Sequence, residues 1–260
     1  MLFVLFPVCC SFWGGLVIFE SSYAKGISVG GTRLIYDASK REASLSVRNS
    51  ADGVPHLVQS WVDDFNDETI KAPFIITPPL FRLDPGRENI LRVIYTGENA
   101  LPQDRESVFW LNVKTIPATE KTDADTNKLI IAVKTRIKLF FRPRNLQTEA
   151  AHDAWRKLIF TYHNNYLFIQ NPTPYFVSLF SLSIGDHQRI ASPPMIAPFS
   201  MTSVSITTAD AGSWVAWQAI TDYGSITAPT TAELTIDDSS PAFVLEHPEM
   251  TLPQVKSSNR

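Results

Sequence analysis

The feature that most limits the fold of this chain is the spacing of its short apolar runs between residues 27 and 142. Seven runs of alternating or continuous apolar character are separated by turn-forming segments rich in Asp, Asn, Gly and Pro. They cover residues 27–36, 43–47, 57–62, 74–76, 89–95, 108–116 and 129–141. The 18 prolines outnumber the 11 glycines, and β-branched and aromatic residues are frequent, which favours strands over helices. The pattern predicts a β-sandwich.

A second series of apolar runs follows a predicted hinge at Arg142-Pro143-Arg144, because proline cannot continue a strand ladder. Its runs show no helical period and cover residues 158–162, 166–170, 176–183, 201–206, 214–219 and 230–236. The sequence therefore predicts an all-β chain of two immunoglobulin-like sandwich domains, residues 25–143 and 144–236. The remaining residues, 237–260, lack periodicity and are interpreted as a flexible tail.

The N-terminus carries the features of an export signal. Residues 1–19 contain no charge, and Ser22 and Ala24 supply the small residues that a signal peptidase needs, which predicts a signal peptide over residues 1–24. An uncleaved membrane anchor is the alternative, since the segment approaches the length that spans a bilayer. Both cysteines, Cys9 and Cys10, lie inside this segment, so the mature chain has no disulfide or thiolate metal site. An exported protein without disulfides suits a bacterial periplasm.

Charge and motif content argue against several classes of function. The 23 basic and 26 acidic residues give a net charge of -3, which argues against a nucleic-acid-binding protein. The five histidines are scattered without a zinc-ligand spacing, and no nucleophile elbow or phosphate-binding glycine loop is present. We therefore expect a protein that is not an enzyme, with no metal, no cofactor and no small-molecule substrate.

Five segments of the chain carry a recognisable motif. The longest is Leu101–Pro117, and the others are Thr32–Tyr36, Thr77–Gly86, Ile137–Pro143 and Asn171–Tyr175. Together they resemble a known family, the PapD-like periplasmic chaperones that assemble bacterial pili. The resemblance implies two sandwich domains set at an angle with a cleft between them. It also implies a periplasmic chaperone that binds and caps pilin subunits by donor-strand complementation and delivers them to an outer-membrane usher. The alternative is a structural or adhesive pilus component built from the same sandwiches.

The resemblance assigns the donor strand to the start of the run at residues 129–141. Strand periodicity places Leu129, Ile131 and Val133 on one face, at the spacing of successive pockets in an incomplete pilin fold. The alternative for these residues is the core of their own domain, unless Ile130 and Ala132 serve the inner face instead. If the donor strand is exposed, the free protein is expected to self-associate through it.

Two cations match the family's cleft residues, which hold the terminal carboxylate of the pilin. These are Arg33 and Lys138, and two fixed cations would set the register of the added strand through charge-assisted bonds. Strict alternation puts Lys138 on the opposite face from Leu129. We therefore expect a bulge, twist or bend between the donor residues and the cleft.

Three charged residues match an interdomain salt bridge of the family. Arg142 at the hinge is expected to bind Glu106 in the first domain and Asp222 in the second, and so to fix the interdomain angle. The alternative is three exposed charges that contribute almost nothing to stability. Two features depart from the family: the second domain lacks the cysteine pair of some members, and residues 237–260 have no counterpart. The short loop at residues 118–127 resembles the branch that serves rod-like, adhesive pili.

Overall fold

The computed structural model describes residues 26–50, 54–97, 100–118, 129–185, 188–206 and 214–236. These residues are almost entirely β and form two sandwiches, which confirms the predicted fold class. The predicted signal peptide, both cysteines, the tail and residues 119–127 of the predicted short loop lie outside the described residues. In the described ranges, the fold contains no helix of the length and apolarity that a membrane crossing requires.

The described residues of the first domain form nine strands in two sheets. One sheet has the order β1-β3-β7-β5 and the other the order β2-β9-β8-β4-β6. The strands are β1 (Ile27–Val29), β2 (Arg33–Asp37), β3 (Ala43–Asn49), β4 (His56–Asp64), β5 (Phe74–Thr77), β6 (Leu80–Leu83), β7 (Glu88–Tyr95), β8 (Ser107–Pro117) and β9 (Val133–Arg142).

The predicted strand over residues 27–36 is wrong, because the chain changes sheet in its middle. β1 pairs antiparallel with β3, whereas β2 pairs parallel with β9 in the other sheet. Gly30 lies at the crossing, where its amide donates to the Ser46 carbonyl at 2.8 Å. A Cβ at Gly30 would overlap Ser46 Oγ and stand 3.3 Å from the Ser46 carbonyl oxygen, so a larger residue at this point would require the Ser46 side chain to turn away. The crossing brings β2 beside β9.

In the part of the second domain that the structure describes, there are nine further strands and two short helical pieces. Its sheets have the orders β15-β11-β10-β18 and β13-β12-β16-β17, and β14 pairs with β12. Two helical pieces precede the strands, α1 (Thr148–His152) and a 3₁₀ turn (Ala154–Lys157). The strands are β10 (Ile159–His163), β11 (Tyr166–Asn171), β12 (Val177–Ile184), β13 (Gln188–Arg189), β14 (Met195–Ile196), β15 (Ser200–Ser205), β16 (Trp214–Ala219), β17 (Thr230–Glu233) and β18 (Thr235–Ile236).

The sequence prediction missed the shortest elements of both domains. It assigned no strand to Leu80–Leu83, which pairs with β4 at the edge of its sheet, and no helix to Thr148–His152. Elements of four or five residues are too short to show a period that distinguishes them from a loop.

Each sandwich has its own hydrophobic core. Between the sheets of the first domain the fully buried side chains include Val47, Leu91 and Leu139. In the second domain they include Leu167 and Leu182. Alternate residues of each strand enter these cores, as expected for packed sheets. Because the cores are separate, the contacts between the domains come from other residues.

Candidate functional site

Strand β9 presents two different sides along its length. Its pairing with β8 is unbroken from Thr115 opposite Val133 to Ser107 opposite Phe141. The side that faces the core of the first domain carries Ile137, Leu139 and Phe141. The opposite side carries Lys134, Arg136, Lys138, Phe140 and Arg142. The unbroken register shows no β-bulge in β9 between Val133 and Phe141, and alternation along the strand places Lys138 on the side opposite the odd-numbered residues.

The segment preceding the core-lining part of β9 is exposed. The expected strand from residue 129 begins only at Val133, so Leu129 and Ile131 lie outside any strand of this chain. The exposed fractions are 87% for Leu129, 63% for Ile131 and 55% for Val133. Ile130 and Ala132 are also exposed. None of these residues belongs to the core, which excludes the alternative placement left open above.

One edge of β9 is open along its first half. The neighbouring strand β2 pairs with residues 138–142 only, from Arg33 opposite Lys138 to Asp37 opposite Arg142. In the described part of the chain, residues 133–137 are paired by β8 and have no strand on the other edge. Their backbone donors and acceptors on that edge can therefore pair with a strand from another molecule.

Arg33 and Lys138 lie side by side where this open edge ends. They are directly opposite each other in the β2–β9 ladder, and both are half-buried. One terminal nitrogen of Arg33 donates to the Ile220 carbonyl in the second domain at 3.2 Å. The guanidinium also stands over the Phe140 ring, 5.5 Å from its centroid. These contacts hold Arg33 in one position between the two domains.

Burial disfavours the charged forms of both Arg33 and Lys138. Burial lowers the pKa of Lys138, and the neighbouring Arg33 lowers it further. Burial also lowers the pKa of Arg33, although the charges of Asp222 and Glu106 oppose this effect. No carboxylate of the described residues forms an ion pair with Arg33 or Lys138. The pair thus forms a positive site suited to a carboxylate from another molecule.

A second charged group, the Glu106–Arg142–Asp222 network, lies on the same sheet and is paired within the chain. Arg142 donates from Nε to Glu106 Oε1 at 2.7 Å. Its two terminal nitrogens donate to the carboxylate of Asp222 at 2.9 and 3.2 Å. Exposed fractions are 3% for Arg142 and 4% for Glu106. The alternative that the sequence left open, three exposed charges, is therefore wrong.

Backbone bonds tie the same network to the second domain. The second oxygen of Glu106 accepts from the Phe176 amide at 2.9 Å, and the Glu106 amide donates to the Pro174 carbonyl at 2.9 Å. The Arg142 guanidinium stands 5.5 Å from the centroid of the Tyr175 ring. Burial raises the pKa of the Glu106 carboxyl, and the charge of Arg142 opposes that rise. Each of the three guanidinium nitrogens of Arg142 donates a hydrogen bond to a carboxylate oxygen.

Sequence reasoning missed three groups that shape this region. The Ile220 carbonyl and the Phe176 amide belong to the backbone, so no residue type marks them. Phe140 supports Arg33 and contacts the Phe176 ring at 5.7 Å between centroids. Its position two residues after Lys138 places it on the same side of β9, so strand periodicity could have identified it. In the described ranges, no group of three His, Cys, Asp or Glu side chains has the arrangement of a metal site.

Comparison with known families gives matches over both domains. Residues 26–147 match the model of the "Pili and flagellar-assembly chaperone, PapD N-terminal domain". Residues 153–231 match the model of the "Pili assembly chaperone PapD, C-terminal domain". Together the two matches cover most of the chain and agree with its division into two sandwiches.

Individual proteins and structures give the same result. The chain is 48% identical to the chaperone protein LpfB of Salmonella typhimurium over 160 residues, which are 61% of this chain and 68% of that protein. It is 39% identical to the chaperone protein FimC of Escherichia coli over 207 residues, which are 79% of this chain and 83% of that protein. A chain in the solved complex of the Salmonella enterica SafA pilin with the SafB chaperone is 30% identical. That match has a TM-score of 0.69 and covers 82% of this chain and 99% of the other.

Proposed function

The chain belongs to the PapD family of pilus assembly chaperones, and on that premise we propose that it binds a pilin subunit by lending it residues 129–133 as a strand. A single observation carries the proposal. An exposed apolar segment continues directly into an open strand edge, and that edge ends at two adjacent cations with no carboxylate partner in the described residues.

The donor segment fits the needs of a fold that lacks a strand. Leu129, Ile131 and Val133 recur at every second position, so they point to the same side with about 6.6 Å between successive side chains. Like the core-lining residues of β9, they occupy odd-numbered positions, but they lie before the part of the strand that enters the core. Inserted into an incomplete sandwich, they would bury apolar surface that is otherwise exposed on both partners.

The cation pair supplies a fixed end point for the bound strand. A terminal carboxylate between Arg33 and Lys138 receives charge-assisted hydrogen bonds from both side chains. Fixing the end of the subunit's last strand fixes its register along β9, and a slip of one residue would turn each apolar side chain away from its pocket. The anchor therefore selects one alignment out of many.

The Glu106–Arg142–Asp222 network is proposed to hold the angle between the domains. Arg33 depends on that angle because its hydrogen-bond acceptor, the Ile220 carbonyl, belongs to the second domain. Arg142 bonds to a carboxylate from each domain. A change of the interdomain angle would thus displace the anchor for the subunit.

The remaining parts of the proposal follow from the family. The protein acts in the periplasm after removal of residues 1–24, with domains at residues 25–143 and 144–236, and residues 237–260 follow as a tail. It delivers the bound subunit to an outer-membrane usher. It changes no covalent bond and needs no cofactor, because transfer of the subunit to a better-fitting strand of the next subunit is favourable in itself.

The test is recovery of the protein with its partners from periplasmic extract of its own organism under conditions that induce pili. Pilin subunits should co-purify with the tagged wild type and be lost with Arg33→Ala/Lys138→Ala. A matched control, Arg48→Ala/Lys71→Ala, removes one exposed arginine and one exposed lysine of the same domain and should keep the subunits. Equal recovery from all three proteins would contradict the anchor, and no pilin with any of them would contradict the proposed function.

A further inference from the structure

A cavity of about 370 Å³ lies beside Arg33, between the two domains. Phe140 contributes to its wall from the first domain, and Trp155, Phe176, Ile220 and Tyr223 contribute from the second. The volume is at the lower end of the range of small-ligand pockets. About half of the residues that line the cavity are polar or charged, and its apolar part includes the rings of Phe140, Trp155, Phe176 and Tyr223. Aromatic rings beside polar groups favour a flat group that also carries polar atoms.

Two buried polar atoms in the wall have no hydrogen-bond partner within the described protein. One is Oγ of Ser178, whose residue is 5% exposed, and the other is Nε of Arg33. Both residues line the cavity. An unpaired buried donor or acceptor destabilises a fold, so such groups commonly have a binding partner. A ligand with two polar ends, one near Arg33 and one near Ser178, would satisfy both.

Arg33 contributes a positive charge to the cavity wall, and Asp222 and Glu106 act on it electrostatically without forming an ion pair with it. Glu106 and Asp222 also contribute to the wall, but their oxygens accept hydrogen bonds from Arg142. The other ionisable groups of the wall are His152, Arg156 and Tyr223, and Arg156 pairs with Asp153 outside it. The positive charge without a carboxylate partner is therefore that of Arg33, which favours an anionic end on the ligand.

We propose that this cavity receives the aromatic side chain of the C-terminal residue of the bound subunit. The inference rests on the proposed function, because it takes the terminal carboxylate to be held by Arg33 and Lys138. Arg33 belongs both to that cation pair and to the cavity wall. A terminal residue anchored there has its side chain at the mouth of the cavity. Ser178 at the wall supplies a partner for a ring hydroxyl, so tyrosine is preferred over phenylalanine, and both over glycine.

The test uses short synthetic peptides in which valine alternates with serine and only the last residue varies. Their affinity for the purified full-length protein is measured by fluorescence anisotropy. The peptide ending in tyrosine should bind roughly tenfold or more tightly than the one ending in glycine, because an aromatic ring is buried. The same tyrosine peptide ending in an amide tests the anchor separately, and it should bind at least about tenfold more weakly.

Variants of the protein locate the preference in the cavity. Ala228 is exposed at its rim, so Ala228→Trp should fill it and remove the preference for tyrosine over glycine. Ala191 is exposed on the second domain and does not line the cavity, so Ala191→Trp should keep the preference. Ser178→Ala should abolish the preference for tyrosine over phenylalanine and leave the glycine peptide unaffected.

The outcomes separate the two proposals. Equal affinities for the tyrosine and glycine acids, with a weaker amide, would overturn the cavity assignment and leave the carboxylate anchor intact. Equal affinities for acid and amide would contradict the anchor, and with it the premise. Binding of N-acetyltyrosine as tight as that of the peptide would assign the cavity to a free aromatic acid instead of a subunit terminus.

Discussion

Arg142 and Arg33 lie on neighbouring strands of the same sheet but in opposite electrostatic situations. Arg142 is almost fully buried and binds two carboxylates. Arg33 is half-buried, stands beside Lys138 and donates a hydrogen bond to the Ile220 backbone carbonyl. Arg142 thus has carboxylate partners within the chain, whereas Arg33 and Lys138 form no ion pair with a carboxylate of the described residues.

This contrast fits a structural role for Arg142 and the proposed binding role for Arg33. A buried charge with several partners is held in one geometry, and removal of one partner leaves the others buried without compensation. Two like charges held together by the fold raise the free energy of the free protein slightly. Under the proposed function, a carboxylate bound between the two cations would offset that repulsion, and its relief would contribute to the free energy of binding.

The most severe test of this contrast removes Arg142. Arg142→Met leaves Glu106 buried and Asp222 half-buried without their cation, and we expect the free energy of unfolding to fall by about 3–5 kcal/mol. The matched control is Arg92→Met, because Arg92 forms an exposed ion pair with Glu42 at 3.4 Å. That change should cost less than about 1 kcal/mol. Urea denaturation followed by fluorescence measures both. Similar losses in the two variants would show that the network contributes little.

Removal of Arg33 and Lys138 should weaken subunit binding strongly and change the stability of the free protein little. Arg33→Ala/Lys138→Ala should weaken binding of a purified pilin subunit by roughly a hundredfold or more, since two charge-assisted bonds are lost. The free energy of unfolding should stay within about 1 kcal/mol of the wild type, because the lost pair is mutually repulsive. Titration calorimetry and urea denaturation of the same preparation measure the two effects. A large loss of stability would place these residues with Arg142 as structural groups.

The donor segment allows a comparison of adjacent residues with opposite orientation. Ile131→Asp places a charge among the odd-numbered residues and should weaken subunit binding by roughly tenfold or more, because a carboxylate is transferred into an apolar groove. Ile130→Asp introduces the same charge on the opposite face of the strand and should weaken subunit binding clearly less. In gel filtration of the free protein, Ile131→Asp should also reduce self-association. Equal effects of the two substitutions would contradict the assigned face.

The sequence predicted the long strands because their periodicity extends over many residues. The run at residues 108–116 lies inside β8, and the run at 89–95 inside β7, since an alternating run in a sandwich has few other ways to bury one face. The change of sheet at Gly30 was not predicted, although the core-facing residues change from the odd-numbered Ile27 and Val29 to the even-numbered Leu34 and Tyr36 across it. It depends on the close approach of Ser46, a contact distant in sequence.

The candidate site was predictable to the extent that side chains define it. The positions of Arg33, Lys138, Glu106, Arg142 and Asp222 came from family motifs. Their hydrogen-bond acceptors and donors at Ile220 and Phe176 are backbone groups, whose places follow from the packing of one domain on the other. The cavity beside Arg33 depends on the same packing, which is why no sequence motif indicated it.

The smallest expected effect is a pH dependence that arises from Lys138. Burial and the nearby Arg33 lower the pKa of this lysine in the folded protein. Between the lowered pKa and the ordinary one, the unfolded chain binds more protons than the folded chain, so the stability of the wild type rises with pH in that interval. Lys138→Met lacks this contribution. The variant should therefore be slightly more stable at lower pH, and the difference should shrink as the pH rises through the lowered pKa.

Binding should respond to pH with the opposite sign. A carboxylate between Arg33 and Lys138 favours the protonated lysine, so the complex binds more protons than the free protein above the lowered pKa. Affinity for the subunit should then fall as the pH rises through that range, and Lys138→Arg should bind with little pH dependence, since arginine stays charged. Calorimetric titrations of both proteins at a series of pH values measure the effect. An affinity of the wild type that is constant across the range would mean that the carboxylate does not contact Lys138.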